Sequence, residues 1–261
     1  MPHSLPTLFV SHGSPMLAVD PGITGEFWKK LGRMLPRPHS VLAVSAHWTT
    51  REPAVNAAAP RNETIHDFYG FPEALYRIRY DAPGAPALAD RVVSLLEAAS
   101  VPVRIDVQRG LDHGAWVPLQ NMYPDADVPV AQLSVQPQRD ARWHVRLGQA
   151  LRPLKDESVL VLATGGAVHN LREMAHDGGP TPAWAKNFDD WLAATLAAGK
   201  EKDFLDWETA APEAQRAQPT PEHFLPIFVA YGAAGEHPKV TRLNHGFTLG
   251  SMSMAVYEFA V

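Results

Sequence analysis

The chain has 261 residues, 46% of them hydrophobic and 20% charged, which is enough apolar material for a substantial core in one domain spanning 1–261. Its net charge of −5, with twelve histidines counted neutral, excludes the broad basic field that draws nucleic acid or an anionic membrane and points to a small-molecule partner. Cysteine is absent, which excludes disulfides, thiolate zinc sites, iron–sulfur clusters and thiol nucleophiles, so any metal must be held by nitrogen and oxygen.

The opening "MPHSLPTLFV" has no basic leader, and no run approaches the ~18 apolar residues of a membrane span, so a cytoplasmic protein is expected. Short β-branched runs then follow at 8–10, 41–45, 103–107, 130–135 and 159–163, with helical patterns at 24–35, 86–99, 139–151 and 183–198. Strands alternating with helices predict an α/β fold, a single domain with a mostly parallel central sheet flanked by helices. "HSVLAVSAHW" and "ESVLVLATGG" are apolar on both faces and belong in the middle of that sheet. Further on, Thr220 reads as an N-cap and Pro221 as the first helical residue of "EHFLPIFVAYGAAG"; Pro226 either kinks this helix or marks a later start. The tail "HGFTLGSMSMAVYEFAV" alternates like a terminal strand or hairpin.

In an open α/β sheet, ligands sit beyond the carboxyl ends of the strands, where the loops converge on one rim. His12, His47 and His169 each fall just past such an end, beside glycine or another small residue that admits close approach. His113, in "GLDHGAWVPL", follows the run at 103–107 by a short loop and can reach the same rim, and His223 falls in the first turn of the Thr220 helix. A lone histidine at a strand end is usually a hydrogen-bonded loop residue, whereas three of them make a shared site. Neutral imidazole is a common ligand for zinc, iron, copper and nickel, and three leave open positions of the kind a catalytic metal needs. HExxH, the EF-hand loop, the Walker loop and GxSxG are all missing, so the site must be assembled from distant segments. His3, His39, His144, His176 and His237 lack supporting context and are expected at the surface; His245 fits either reading.

Six segments, "LFVSHGSPM", "SAHW", "IHDFYGFP", "LDHGAWVPL", "ATGGAVHNL" and "EHFLPIFVAYGAA", together resemble the 4,5-DOPA dioxygenase type of class III extradiol ring-cleavage dioxygenases, in that family's order and across nearly the whole chain. The resemblance implies a non-haem Fe(II) enzyme that opens a catechol beside its two hydroxyls with O2, giving a muconic semialdehyde. It implies His12, His47 and His223 as metal ligands, His169 as the acid/base group or a further ligand, and His113 as a histidine facing substrate and O2. Relatives with two histidines and a glutamate hold iron in the facial triad. A third neutral ligand leaves more positive charge on the metal and also admits Zn(II). The segment "NETIHDFYGFP" is expected to form a pocket wall, with Phe68 and Tyr69 against the ring and His66 or Asp67 orienting it, or else to be an aromatic loop anchored in the core.

An acid/base role suits His169 if its pKa stays near the ordinary ~6.5. Two rival readings use the same residues. A zinc hydrolase would take Glu222 or Asp112 as general base for a metal-bound water, and a non-catalytic member of the superfamily would use the cleft only for binding. The particular catechol and the oligomeric state are not written in the sequence.

Overall fold

Strands that are apolar on both faces are stable only with a layer packed on each side, and this requirement organises the molecule. The computed structural model describes residues 4–175 and 179–260. The elements run β1 (Thr7–Ser11), α1 (Gly22–Met34), β2 (Ser40–Thr49), β3 (Ala54–Asn56), α2 (Glu73–Tyr76), α3 (Pro86–Ala98), β4 (Arg104–Asp106), α4 (His113–Met122), β5 (Val130–Val135), α5 (Ala141–Leu151), β6 (Val159–Gly165) and α6 (Ala183–Ala197). Three short helices follow, α7 (Glu201–Leu205), α8 (Trp207–Ala210) and α9 (Ala214–Ala217), and then α10 (Leu225–Ala234), β7 (Lys239–Asn244), β8 (Phe247–Thr248), β9 (Met252–Ser253) and β10 (Val256–Ala260).

Eight strands form one sheet in the order β4-β3-β5-β2-β6-β1-β10-β7. The central four, β5, β2, β6 and β1, are mutually parallel. β3 joins β5 antiparallel, and β10 and β7 extend the other side antiparallel. The tail therefore does become strand, partly as β10 within the sheet and partly as the separate β8–β9 pair. Alternation along the central strands sorts the core into two layers: Leu8, Val10, Val41, Ala43, Leu160 and Leu162 face one, and Phe9, Leu42, Val44, Val161 and Ala163 face the other. No helix among the described residues is long and apolar enough to cross a membrane.

Four expectations need correction. The helix of "EHFLPIFVAYGAAG" begins at Leu225, with Phe224 at the N-cap and Pro226 in its first turn, so Thr220 is not the cap and His223 lies in the turn before the helix. Proline in the first turn removes an N–H that has no helical partner there, whereas Pro226 inside a longer helix would break a hydrogen bond. His47 lies within β2 rather than past its end, although the ladder from β2 to β6 stops at Ser45. The run at 103–107 is a three-residue strand at the sheet edge, with Val107 largely exposed. His144 is fully buried, not at the surface. Its Nδ1–H donates to the Asp140 carbonyl (2.9 Å) and its Nε2 accepts from the Gln136 amide (3.3 Å), so the neutral ring fills both of its hydrogen-bonding capacities. His39, His237 and His245 are exposed, and His3 and His176 lie outside the described residues.

α10 is buried along its whole length, and it packs against α5 through glycine. A Cβ on Gly232 would stand 2.1 Å from the Val145 carbonyl oxygen, and one on Gly148 would stand 2.2 Å from that of Val229. Gly232→Ala is therefore expected to destabilise the protein by about 1–3 kcal/mol despite alanine's better helix propensity, read as a lower urea midpoint. Burial also lowers the His144 pKa to about 4, with the Asp140 contacts opposing it. Because the folded value lies below the unfolded ~6.5, the stabilisation is complete above that pH and is lost as pH falls toward 4. The loss from this residue is on the order of 3 kcal/mol. Urea unfolding at stepped pH should show a shallower acid slope for His144→Gln than for the unaltered protein.

Candidate metal centre

Parallel strands β1, β2 and β6 end at one rim, and the chain places imidazoles there in three different ways. His12 follows the last residue of β1, with its amide on the Gly165 carbonyl at the end of β6 (3.0 Å). Gly13, at φ 63°, then turns the chain away from the sheet. His47 projects from the free end of β2. His113 is the first residue of α4, whose N-cap is Asp112.

His169 and His223 come from the loops after β6 and before α10, and glycine again sets their approach. The Gly166 amide donates to the His223 carbonyl (2.8 Å), and a Cβ on Gly165 would stand 2.1 Å from that same oxygen. The His169 amide donates to the Ala217 carbonyl (2.9 Å), and its ring stacks on His223 with centroids 3.4 Å apart and planes 6° off parallel.

All five sequence-predicted imidazoles thus meet. Ring centroids lie 4.8 Å apart for His12–His47, 5.4 Å for His12–His223, 4.9 Å for His47–His223 and 4.0 Å for His47–His113. His12, His47 and His113 offer ligand nitrogens within 4.8 Å of one another, while His47 Nε2 and His223 Nε2 stand 3.2 Å apart.

The protons on the opposite nitrogens decide what these rings can do. The Nδ1 of His12 donates to the Gly13 carbonyl (2.9 Å), that of His113 to Asp67 Oδ1 (2.9 Å) and that of His223 to Glu222 Oε1 (3.3 Å), while Nδ1 of His47 faces Asp67 Oδ2 in an ion-pair contact at 3.2 Å. Carbonyl and carboxylate oxygens only accept, so each Nδ1 carries the hydrogen and each neutral ring keeps a bare Nε2. His12 Nε2 is buried without a hydrogen-bond partner. Two bare nitrogens at 3.2 Å repel unless a cation lies between them, and nitrogens bound at ~2.1 Å to one ion stand roughly that far apart. The donor set fits a divalent metal held by nitrogen.

Neutral rings are also what burial demands. It is the largest cause lowering the pKa of His12 and His223 far below the usual histidine value, with mutual repulsion among the five rings adding to it. Burial lowers His113 as well, opposed by the hydrogen bond to Asp67. His169 falls to about 4 for the same first reason rather than keeping its ordinary value, so at neutral pH it is an uncharged ring and a weaker base than an unperturbed histidine. Burial alone would raise the Asp67 pKa, but hydrogen bonds from His113 and His47 outweigh it and hold the carboxyl well below its usual range.

Beneath His47 lies a set of residues that sequence reasoning did not assemble. Fully buried Asp112 accepts from Ser45 Oγ (2.6 Å), Arg109 Nη2 (2.9 Å), Gln132 Nε2 and the Ala115 amide. Ser45 Oγ in turn accepts from the His47 amide (3.2 Å). With both oxygens engaged and a guanidinium alongside, Asp112 is not available as the general base of a hydrolase. The one available signal was its position as helix N-cap directly before His113.

The "HDFYGFP" loop is partly anchored and partly exposed. His66 Nε2 bonds the Ile78 carbonyl (3.1 Å), and the Ile65 carbonyl accepts from Trp116 Nε1 (2.9 Å). Phe68 packs edge-on against His113 with centroids 5.6 Å apart. Tyr69 is 92% exposed.

Residues 6–260 match the family described as the catalytic LigB subunit of aromatic ring-opening dioxygenase. The chain belongs to that family. It is 45% identical to the 4,5-DOPA dioxygenase extradiol of Beta vulgaris, over 97% of this chain and 96% of the relative, and 42% identical to the protein of that name from Escherichia coli K12, over 96% and 93%. An uncharacterized protein of Escherichia coli K12 with a crystal structure superposes at a TM-score of 0.80 with 36% identity, covering 97% of this chain and 99% of that one. The chain is accordingly an extradiol ring-cleavage dioxygenase that takes a small molecule and O2 and uses a divalent metal.

Because the Gly165 contact fixes the His223 carbonyl, Gly165→Ala should displace that ring and weaken zinc binding about tenfold or more. Competition against a chromophoric chelator would measure this, with circular dichroism confirming that the fold is kept.

Proposed function

We propose that the whole chain is one catalytic unit that opens the ring of a catechol, of the DOPA type or a close analogue, beside its two hydroxyls, with His12, His47 and His223 as the metal ligands. The observation that carries this reading is the convergence of bare Nε2 atoms at one rim, in a chain whose relatives are named 4,5-DOPA dioxygenase extradiol.

Fe(II), when bound, supplies the redox chemistry that lets a closed-shell catechol react with O2, whereas closed-shell Zn(II) can fill the same ligands without supporting turnover. The remaining work belongs to the chain. His169, buried and neutral, takes a catechol hydroxyl proton and returns one as the ring opens. His113 faces the reacting oxygens, and Asp67 on its Nδ1 stabilises a proton arriving at Nε2, which the ring can then share with developing oxygen charge. Phe68, packed on His113, offers an aromatic face to the substrate ring. The product is a muconic semialdehyde. A cytoplasmic setting is the proposed one for a chain without cysteine.

The reading is tested by loading the protein anaerobically with Fe(II), admitting O2 with a small panel of catechols, and following O2 uptake and the yellow absorbance of the semialdehyde. Zinc-loaded protein should be inactive on the same panel; zinc-dependent, O2-independent cleavage of ester or amide substrates would instead support a hydrolase. His12→Ala and His47→Ala should lose the metal. His169→Ala should keep it and lose about 10²–10⁴-fold in kcat, and metal loss in that variant would make His169 a ligand.

A further inference from the structure

The carboxylate of Asp67 sits between two imidazoles that do different jobs. Its Oδ2 lies 3.2 Å from Nδ1 of His47 in an ion-pair contact, and its Oδ1 accepts from both Nδ1 (2.9 Å) and the backbone amide (3.0 Å) of His113. One side chain therefore takes two hydrogen bonds and one ion-pair contact, and it is only 21% exposed although the residue as a whole stands on an exposed loop.

We infer that Asp67 is a positioning residue shared by the metal centre and the substrate face: one carboxylate fixes both His47 and His113 with their Nε2 atoms turned toward the reacting centre. This assignment replaces the expectation that Asp67 binds the catechol directly, because both of its oxygens already hold protein donors. It rests on the reading of His47 as a metal ligand.

The arrangement has two consequences. First, a carboxylate on the far nitrogen orients a ligating imidazole and raises its basicity, and here the same group does so for a ring beside the substrate. A change of charge at either ring is therefore felt at the other through one carboxylate. Second, Asp67 precedes Phe68, whose ring packs on His113. The loop that walls the pocket is thus tied to the metal centre by the same side chain that sets the ligand's tautomer. The loop's other fixed points, His66 on Ile78 and Ile65 on Trp116, hold it to the scaffold rather than to the site.

Asp67→Asn tests the sharing. An amide has one accepting oxygen and a donating NH2 group, so it can satisfy one Nδ1–H but not both, and one ring must turn or move its proton to Nε2. In zinc-loaded protein labelled with 15N-histidine, long-range correlation spectra should show Nδ1–H on both His47 and His113, and one of the two should lose that signature in Asp67→Asn. Zinc affinity should fall about 10–100-fold. With Fe(II) restored at saturating concentration, kcat should fall while KM for the catechol changes little.

An Asp67→Asn protein with the original zinc affinity and tautomers but a raised KM would overturn the proposal in favour of direct substrate binding. A lower melting temperature as the sole change would overturn it in favour of a mere loop anchor. Should Asp67→Asn not fold, the unaltered metal-free protein still decides: an Nε2–H tautomer at either ring rules out a shared carboxylate. His47→Ala separates the two levels of argument. Undiminished zinc binding there overturns the ligand reading and this proposal with it, whereas lost binding there alongside full binding in Asp67→Asn overturns this proposal alone.

Discussion

Several imidazoles packed into a few ångströms cannot all be charged, and neutral ones are useful to a metal only if the right nitrogen is bare. The molecule meets this constraint at four of the five rings by setting an oxygen against Nδ1: a backbone carbonyl for His12, one carboxylate for His47 and His113 together, and Glu222 for His223. Remove those acceptors and each ring would be free to choose its tautomer, and the lone pairs would no longer point one way. The site is thus specified as much by the atoms behind the histidines as by the histidines.

The fold brings these groups together through strand direction and glycine. Four neighbouring parallel strands end on one rim, so residues far apart in sequence emerge side by side without any local motif. Final adjustment comes from places where a side chain is forbidden. Gly165 and Gly166 let the turn carrying His223 rest directly on the end of β6, and a Cβ on Gly114 would meet Ser45 Oγ at 2.6 Å and His47 Cδ2 at 3.0 Å. A rigid rim built on backbone contacts holds the imidazoles more closely than long side chains would, because little conformational freedom is left to lose.

Much of this was legible in the sequence. The runs at 41–45 and 159–163 gave central strands because apolar residues on both faces leave no other stable place for them, and the long helical patterns appear within a residue or two of their expected ends. What escaped has identifiable physical causes. β3 is three residues long and carries too little pattern to register. α4 contains Gly114 and Pro118, which read as breakers, although Pro118 sits where tertiary packing tolerates it. His144 looked like a surface residue because its two partners are backbone groups that no side-chain pattern reveals. The five site histidines could be named from positions near strand ends for His12, His47 and His169, a short loop for His113, a helix start for His223, and from the family resemblance. The sharing of Asp67 and the enclosure of Asp112 depend on three-dimensional proximity across as many as 67 residues and could not be read in advance.

β1, which delivers His12, is clamped between β6 on one side and β10 on the other. Both neighbours lie far along the chain from β1, at Val159–Gly165 and Val256–Ala260. Contacts of such long sequence separation form late and make folding slow. The position of His12 is therefore settled only once both of these distant strands have docked, so the end of β1 is among the later parts of the rim to become rigid.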